Sequence, residues 1–305
     1  MKPISFTLGV PVFTFAVFLL LWSGVSSSIQ TSLGKVPGPL DVAAQMKSLA
    51  QEHWQERQKR AEFYKNEDKK NAEKLAANPS EKVKIRKYTG KPTYLDQIFT
   101  SLRTVFTGFL IASLIAVPLG IACGLSKTVM TALNPLIQIF KPVSPVAWLP
   151  IVTMIVSAVY VVPKEWLPKS YVISSITVSL CSLWPSLINT SIGVASLDKD
   201  YLNVARVLQL KTSDKIFKIV LPACMPYIFA GLRISLGMGW IVLIASEMLS
   251  QNPGLGKFIW DEFQNGSSQS LARIMVAVFT IGLVGFALDR IMLTLQKAVS
   301  FNETQ

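Results

Sequence analysis

The chain has 305 residues, of which 50% are apolar, with a mean hydropathy of +0.42 and a formal net charge of +12. A soluble domain of this length is not expected to be so apolar, and several stretches reach the roughly 20 apolar residues that one helix needs to cross a bilayer. The basic residues lie in polar segments between these stretches, so the charge indicates a lipid bilayer with anionic headgroups as the partner and argues against nucleic acid.

Residues that commonly carry chemistry are few. Cys123, Cys181 and Cys224 stand singly in apolar surroundings, and His53 is the single histidine. Neither a metal site nor a disulfide framework is therefore predicted. The sequence also contains no Gly-x-x-x-x-Gly-Lys-Ser/Thr phosphate loop. We predict no catalytic residue and no cofactor bound by this chain, so that any ATP driving it is hydrolysed by another chain.

The first apolar stretch, residues 6–25, has the length of one membrane crossing. Because the small residues Gly24 and Ser26 lie at its end, a cleaved signal peptide is the alternative interpretation. The apolar run is longer than a usual signal core, which favours a retained helix. We therefore predict a first transmembrane helix within residues 1–35.

A polar insert is predicted over residues 36–94, and its part from residue 47 to residue 91 contains 13 Lys and Arg against 7 Asp and Glu. Apolar residues recur there at helical spacing, which indicates a solvated, partly helical segment. The functional alternatives are a docking surface for an extracytoplasmic binding protein and an electrostatic collector for anions. Counting the crossings places the insert outside, against the positive-inside tendency, which a loop of this length weakens.

The second crossing is predicted over residues 92–126. Its Gly120-x-x-x-Gly124 spacing would let another helix approach closely. A short interfacial helix is then expected over residues 134–141.

Prolines interrupt the third crossing and free backbone carbonyls, which a bilayer tolerates mainly where protein or a water-filled path satisfies them. Two interpretations stay open for this stretch: a translocation path beside Ser144 and Trp148, or a packing kink. The fourth crossing, residues 170–194, contains Trp184 and Asn189. Its polar side chains either link helices or line a polar passage.

Residues 198–222 form the one long polar interruption between the later apolar stretches, and apolar and basic residues alternate there at helical spacing. Asp198 is expected to be the N-cap, with Asp200 in the first turn. The pattern predicts a surface helix over about residues 198–215, in a segment that stops on Pro222.

This segment resembles the cytoplasmic coupling segment of importer permeases of the ATP-binding-cassette type. That motif runs Glu-Ala-Ala, then a Gly six positions after the Glu, an Ile ten further on, and Leu-Pro. The chain departs from it at the two first positions and at the Gly. The matching positions are Asn203, Val204, Ala205, Gln209, Ile219, Leu221 and Pro222.

Three flanking stretches strengthen the resemblance: KPVSPVAWLPIV from Lys141, YIFAGLRISLGMGWIVLIASEML from Tyr227 and NPGLGKFIWDEFQNGSS from Asn252. They are similar to the cyanobacterial nitrate/nitrite and bicarbonate importer permeases, and the likeness spans nearly all of residues 92–295. The resemblance also implies that the first helix is retained. The VPGPLDV stretch at residues 36–42 resembles the turn that follows this helix in the family.

The resemblance implies an all-α membrane protein with the type I importer permease fold, about six transmembrane helices and a cytoplasmic coupling helix. It places the protein in the plasma (inner) membrane of a bacterium, with a cyanobacterium favoured. It implies a homodimer, an extracytoplasmic solute-binding protein, and two cassette ATPases that hold ATP and Mg²⁺. The core permease domain would cover residues 95–298 and a cytoplasmic tail residues 299–305. The residues expected to couple to the ATPases are Asn203, Val204, Ala205, Arg206, Gln209, Leu210, Ile219, Leu221 and Pro222.

The fifth crossing, residues 226–249, carries Arg233 and Glu247. An arginine at the centre of a membrane helix costs roughly 2.5 to 3.5 kcal/mol, so Arg233 either contacts the anion in passage or forms a structural pair. Glu247 is expected near the outer face in a structural role, because a carboxylate on the path would repel an anion. The residues predicted along the substrate path are Ser144, Trp148, Trp184, Asn189, Arg233 and Trp240.

An external loop is predicted over residues 250–270, before a sixth crossing at residues 271–295. Its aromatic residues Phe258, Trp260 and Phe263 are expected to be exposed. They either dock the binding protein or lie in the membrane interface.

Nitrate is the cargo that the resemblance favours, with nitrite as its companion, and bicarbonate is the close alternative because the two permease groups are so alike. A secondary transporter that needs no ATPase would leave the coupling-like segment unexplained and is often built from inverted repeats, of which the sequence shows none. A membrane enzyme would need catalytic pairs at membrane depth, whereas the clustered acids Asp261 and Glu262 have no histidine nearby.

Overall fold

The computed structural model describes the chain except for residues 1–3, 32–33, 78–82, 84, 199, 201–202, 204–206, 268 and 301–305. The regular secondary structure of the described part is helical apart from an isolated bridge between Lys164 and Leu167 and a short antiparallel hairpin of two strands, β1 (Gln30–Thr31) and β2 (Gly34–Lys35). Its helices are α1 (Ile4–Ser28), α2 (Pro39–Ala77), α3 (Tyr94–Leu125), α4 (Lys127–Phe140), α5 (Pro145–Val159), α6 (Lys169–Ala195), α7 (Thr212–Lys215), α8 (Leu221–Ser250), α9 (Leu255–Asn265) and α10 (Ser270–Ser300).

Five helical segments of the described chain are long and apolar enough to cross a membrane: α1, α3, α6, the segment Thr212–Ser250 and α10. Helices α4 and α5 pass the same criterion together, but they are bent by 101° at their junction. Counting this pair as one broken span gives up to six spans. The predicted all-α class with about six transmembrane helices is thus confirmed.

The bent pair differs from the short interfacial helix predicted over residues 134–141. Helix α4 begins much earlier, because the Ser126 side chain caps it by accepting a hydrogen bond from the Val129 N–H at 3.4 Å. Helix α4 ends at Phe140. After a short break, the Ser144 side chain caps α5 by accepting a hydrogen bond from the Val146 N–H at 3.3 Å. Pro145 stands in the first turn of α5, where its missing N–H costs nothing.

The coupling segment also breaks at a different place from the one predicted. The chain leaves the helix at Leu208–Lys211 and becomes helical again at Thr212, and Pro222 does not end the segment. A π-helical turn, Ile216–Val220, joins α7 to α8, and the Leu221 N–H donates to the Ile216 carbonyl five residues back. This wider turn precedes Pro222, so the helix passes through the proline without a stop.

The region predicted as an external loop, residues 250–270, contains the helix α9. Its start is built around Glu247, which is fully buried and accepts hydrogen bonds from the Ser101 hydroxyl at 2.8 Å and the Gly256 N–H at 3.0 Å. The Ser101 hydroxyl oxygen in turn accepts from the Leu255 N–H at 2.9 Å. These contacts satisfy two N–H groups of the first turn of α9, which supports the structural role expected for Glu247.

The chain divides into two compact units. One comprises Met1–Phe99 and Phe258–Phe279, and in it α2 is a long charged helix on which only Val42 and Leu49 are buried. Polar contacts hold α2 there: Arg273 pairs with Glu52, and the Tyr88 hydroxyl donates to Glu56 at 2.8 Å, which raises the pKa of Tyr88. The basic insert is thus partly helical, as expected: α2 covers it up to Ala77, and residues 85–91 lie outside any helix.

The other unit comprises Thr100–Lys257 and Thr280–Gln305, and α6 forms its centre. On one side, Gly120 and Gly124 of α3 meet α6 so closely that a Cβ on Gly120 would lie 2.7 Å from the Thr190 Cβ. On the other side, the Ser235 hydroxyl donates to the Ser182 carbonyl at 2.5 Å. The close approach expected at Gly120-x-x-x-Gly124 is confirmed, and α6 is the helix that makes it.

Candidate functional site

A cavity of about 340 Å³ lies beside the middle of α6 and α8. It brings together two residues predicted along the substrate path, Trp184 and Asn189, and adds Lys141, which was not predicted there. The other lining residues are mostly apolar. Because Lys141, Ile234 and Met238 are exposed on this single subunit, the cavity opens at its surface. The lining residues are Lys141, Cys181, Trp184, Pro185, Ile188, Asn189, Ile234 and Met238.

A local hydrogen bond fixes the orientation of the Asn189 side chain, which lines this cavity. The Asn189 amide group donates one hydrogen bond to the Pro185 carbonyl at 2.8 Å, one helical turn earlier. Because an amide NH₂ has two N–H bonds, one donor stays available for a bound group. Asn189 therefore adds a directed donor to an otherwise apolar wall.

Aromatic rings extend from this cavity to the junction of α4 and α5. The Trp184 ring stacks on Phe140 with centroids 6.4 Å apart, and Phe140 contacts Trp148 with centroids 5.7 Å apart. The indole N–H of Trp148 is buried and has no hydrogen-bond acceptor in the described part of the chain. Trp148 and Trp184 thus belong to one aromatic cluster, while Ser144 is exposed and caps α5.

The two remaining predicted path residues, Arg233 and Trp240, line a second cavity of about 330 Å³ between α8 and α10. Arg233 forms a bidentate ion pair with Asp289, with Nε to Oδ1 at 2.6 Å and Nη2 to Oδ2 at 2.9 Å. The Trp240 indole N–H donates to the Ile281 carbonyl at 3.0 Å. Of the two roles left open for Arg233, the structural pair is the one that the geometry shows.

The coupling segment is described only in part. The Asp198 carboxylate accepts a hydrogen bond from the Asp200 N–H at 3.1 Å, as expected of an N-cap. Asn203 is helical, whereas Val204, Ala205 and Arg206 lie outside the described residues.

Gln209, at the position where the motif has Gly, adopts a positive φ of 48°. This left-handed conformation is the one for which glycine is best suited. Leu210 lies in the same break, and Ile219, Leu221 and Pro222 belong to the continuous helix behind it. The three latter residues therefore stand at the entry to α8.

The expected trio of exposed aromatic residues is corrected at two positions, because Phe258 is buried and Trp260 is half-buried. Phe258 is only 8% exposed, because its ring packs on Tyr94 with centroids 4.9 Å apart. Phe263 is 60% exposed, and Trp260 contacts it with centroids 6.0 Å apart. Trp260 and Phe263 can therefore meet a partner, whereas Phe258 belongs to the interior of its unit.

The chemistry available to these residues is binding. Across the described ranges, no group of three or more His, Cys, Asp or Glu side chains converges in a way that could hold a metal ion. Each cavity carries one basic side chain among mainly apolar residues.

Sequence reasoning missed Lys141 and the pairing of Asp289. Lys141 was treated as the end of an interfacial helix, although a lone lysine between two apolar helices is itself a signal of an intramembrane function. Asp289 lies within the predicted sixth crossing, for which no site residue was predicted. Its pairing with Arg233 depends on how α8 and α10 pack, which no local pattern reveals.

Comparison with known proteins gives relatives for most of the chain. The nitrate import permease protein NrtB of Synechococcus elongatus is 38% identical over 209 residues, which cover 67% of this chain and 69% of that protein. The bicarbonate transport system permease protein CmpB of the same species is 40% identical over 207 residues, which cover 68% of this chain and 69% of that protein.

A solved structure has the same fold. The MetNI methionine ABC transporter, in an inward-facing conformation, matches with a TM-score of 0.57 at 11% identity, over 68% of this chain and 95% of that chain. Residues 116–301 match the family model described as the inner membrane component of binding-protein-dependent transport systems. Because this match covers more than half of the sequence, the chain belongs to that family of inner membrane transport components.

Proposed function

We propose that two copies of this chain form the translocation path of an ATP-driven importer for nitrate, with nitrite as a second cargo. The likeness to nitrate import permeases over two thirds of the chain carries this proposal. A solute-binding protein would deliver the anion outside, and two cassette ATPases would bind and hydrolyse ATP with Mg²⁺ inside. The chain itself makes and breaks no bond.

The cavity beside α6 and α8 supports a weakly hydrated monovalent anion as cargo. Its polar groups are one ammonium and one amide, in otherwise apolar and aromatic walls. Removing a strongly hydrated ion from water would require many compensating contacts, which these walls do not offer. Nitrate holds its water loosely and is planar, so one cation and one directed donor suffice for a transient site.

Bicarbonate is the second candidate cargo, and the 40% identity to bicarbonate permeases is the observation that favours it. This identity is as high as the identity to the nitrate permeases, so overall similarity does not decide between the two anions. A transport measurement that offers both anions decides it.

The continuous helix behind the coupling segment supports a mechanism for the ATPase drive. Residues 203–210 would sit in a groove of the ATPase and move with it. From Thr212 the chain is helical through α7, the π-helical turn and α8, so a push transmitted across the break at Leu208–Lys211 would reach α8 without a further break in the helix. Because Ile234 and Met238 of α8 line the cavity at Lys141, the movement would reshape the path.

The test is ATP hydrolysis and anion uptake by the complete importer in liposomes, with nitrate, nitrite and bicarbonate compared. We expect nitrate and nitrite to stimulate hydrolysis, and this stimulation to disappear when Ala205 and Arg206 are replaced by bulky acidic residues. Stimulation by bicarbonate alone would change the cargo and keep the coupling. Anion passage without any bound ATPase would contradict the importer.

A further inference from the structure

Lys141, at the break between α4 and α5, lines a cavity together with residues from the middle of the membrane-spanning helices α6 and α8. Lys141 ends α4, and its N–H still donates to the Ile137 carbonyl, whereas the next residues leave the helix. The cavity at Lys141 includes Cys181, which lies near the middle of α6, roughly 20 Å from either end at 1.5 Å per residue. Ile234 and Met238 are likewise close to the middle of α8.

An ammonium group near the middle of the membrane-spanning helices must be stabilised by an ion pair or by water. No carboxylate of the described chain forms an ion pair with Lys141, and the side chain is exposed on the single subunit. An ammonium that faces lipid at mid-membrane costs roughly 2.5 to 3.5 kcal/mol, whereas one that faces a water-filled passage does not. The face of the subunit that carries Lys141 is therefore expected to border water.

The neighbours of Lys141 complete a small binding site. Asn189 has a second amide N–H beyond the one donated to Pro185, and Trp184 offers a flat apolar wall. The bend of 101° interrupts the helix at the junction, and irregular backbone is tolerated at membrane depth mainly where it is buried in protein or lines a cavity.

We infer that Lys141 and Asn189 form a transient binding site for a small monovalent inorganic anion inside the translocation path. This inference rests on the proposed anion transport and adds the residues that hold the anion. The ammonium attracts the anion into the path, the amide directs it, and the apolar walls keep the binding weak enough for release. Lys141 is thus a binding residue for the cargo.

The test compares Lys141→Met, Lys141→Arg and the control Lys127→Met in the complete importer reconstituted in liposomes. Lys127 begins the same helix and is exposed. We expect Lys141→Met to lower nitrate uptake about tenfold, the effect of losing a charged contact worth about 1.4 kcal/mol. Hydrolysis stimulated by the loaded binding protein should change less than twofold, and Lys141→Arg and Lys127→Met should transport like the wild type.

A charge-rescue experiment excludes a purely structural role. Lys141→Cys is made together with Cys181→Ser, because Cys181 lines the same cavity. Attachment of an aminoethyl group through a disulfide should restore uptake, attachment of a sulfonatoethyl group should not, and nitrate should slow the aminoethyl reaction. Restoration by neither reagent or by both, or wild-type uptake by Lys141→Met, would overturn the inference.

The two proposals fail differently. If the wild-type importer moves bicarbonate and no nitrate, the proposed cargo is wrong, and the same variants then test Lys141 with bicarbonate. If the wild type imports nitrate and Lys141→Met matches Lys127→Met, the cargo stands and the anion site is wrong.

Discussion

At the residue scale, the ion pair between Arg233 and Asp289 explains how an arginine is accommodated in a membrane-spanning helix. Each guanidinium–carboxylate contact is short, and the two side chains are 33% and 36% exposed. The bidentate geometry neutralises both charges and joins α8 to α10. A role of Arg233 in holding an anion would require this pair to open.

The pair predicts a double-mutant result. Arg233→Leu or Asp289→Leu alone should each lower the melting temperature, by less than breaking a fully buried pair would, because water screens both groups. The double variant should melt closer to the wild type than either single variant does, and it should still transport nitrate. Thermal unfolding in detergent and uptake in liposomes measure the two properties. A stable double variant without transport would assign the anion contact to Arg233 after all.

The left-handed residue in the coupling segment leads to a second prediction. Gln209 has a φ of 48°, which β-branched side chains avoid. Gln209→Val should therefore destabilise the break in the coupling segment by about 1 to 2 kcal/mol and reduce ATPase coupling, whereas Gln209→Gly and Gln209→Asn should not. The ratio of anions transported to ATP hydrolysed is the measurement. Equal ratios for the Val and Gly variants would show that the backbone conformation does not matter for coupling.

At the element scale, the packing of α3 on α6 depends on small residues. A Cβ on Gly120 would approach the Leu187 carbonyl to 2.8 Å, and a Cβ on Gly108 would approach the Ser175 carbonyl to 2.6 Å. Both distances are shorter than the van der Waals contact distance between a Cβ atom and a carbonyl oxygen. These glycines therefore set the distance between the two helices along much of their length.

This packing predicts different outcomes for two glycine substitutions. Gly120→Ala should destabilise the protein by about 1 to 3 kcal/mol, because the helices must separate. Gly237→Ala is the matched control, since a Cβ there has no neighbour within 4 Å. Melting temperatures of the two purified variants test this expectation. If the two variants have the same melting temperature, α3 and α6 do not approach each other this closely in the membrane protein.

At the scale of the whole molecule, importing an anion requires a face for the binding protein and a face for the ATPase, joined by a path. The exposed Phe263 and the half-buried Trp260 beside it on α9 mark a candidate docking face. The first turn of α9 is fixed by the buried Glu247. An aromatic pair on a helix with an anchored start suits contact with another protein.

This candidate face predicts the effect of one substitution on the response to the binding protein. Phe263→Ser should raise, by about tenfold, the concentration of binding protein needed for half-maximal stimulation of ATP hydrolysis, as expected of an interface aromatic. Basal hydrolysis should not change. Phe99→Ser is the control, because Phe99 is 70% exposed on a different helix, α3. An unchanged response of Phe263→Ser would place the docking face elsewhere.

The sequence by itself determined the membrane class, about six spans and the family, because each depends on local composition or on a motif read along the chain. Only the tertiary structure decided that Phe258 is buried against Tyr94 and that Arg233 pairs with Asp289. It also placed Lys141 beside Cys181 and Asn189, residues far along the chain. Such relations depend on how helices pack and where α4 bends, and hydrophobic periodicity carries no information about the distance between two elements.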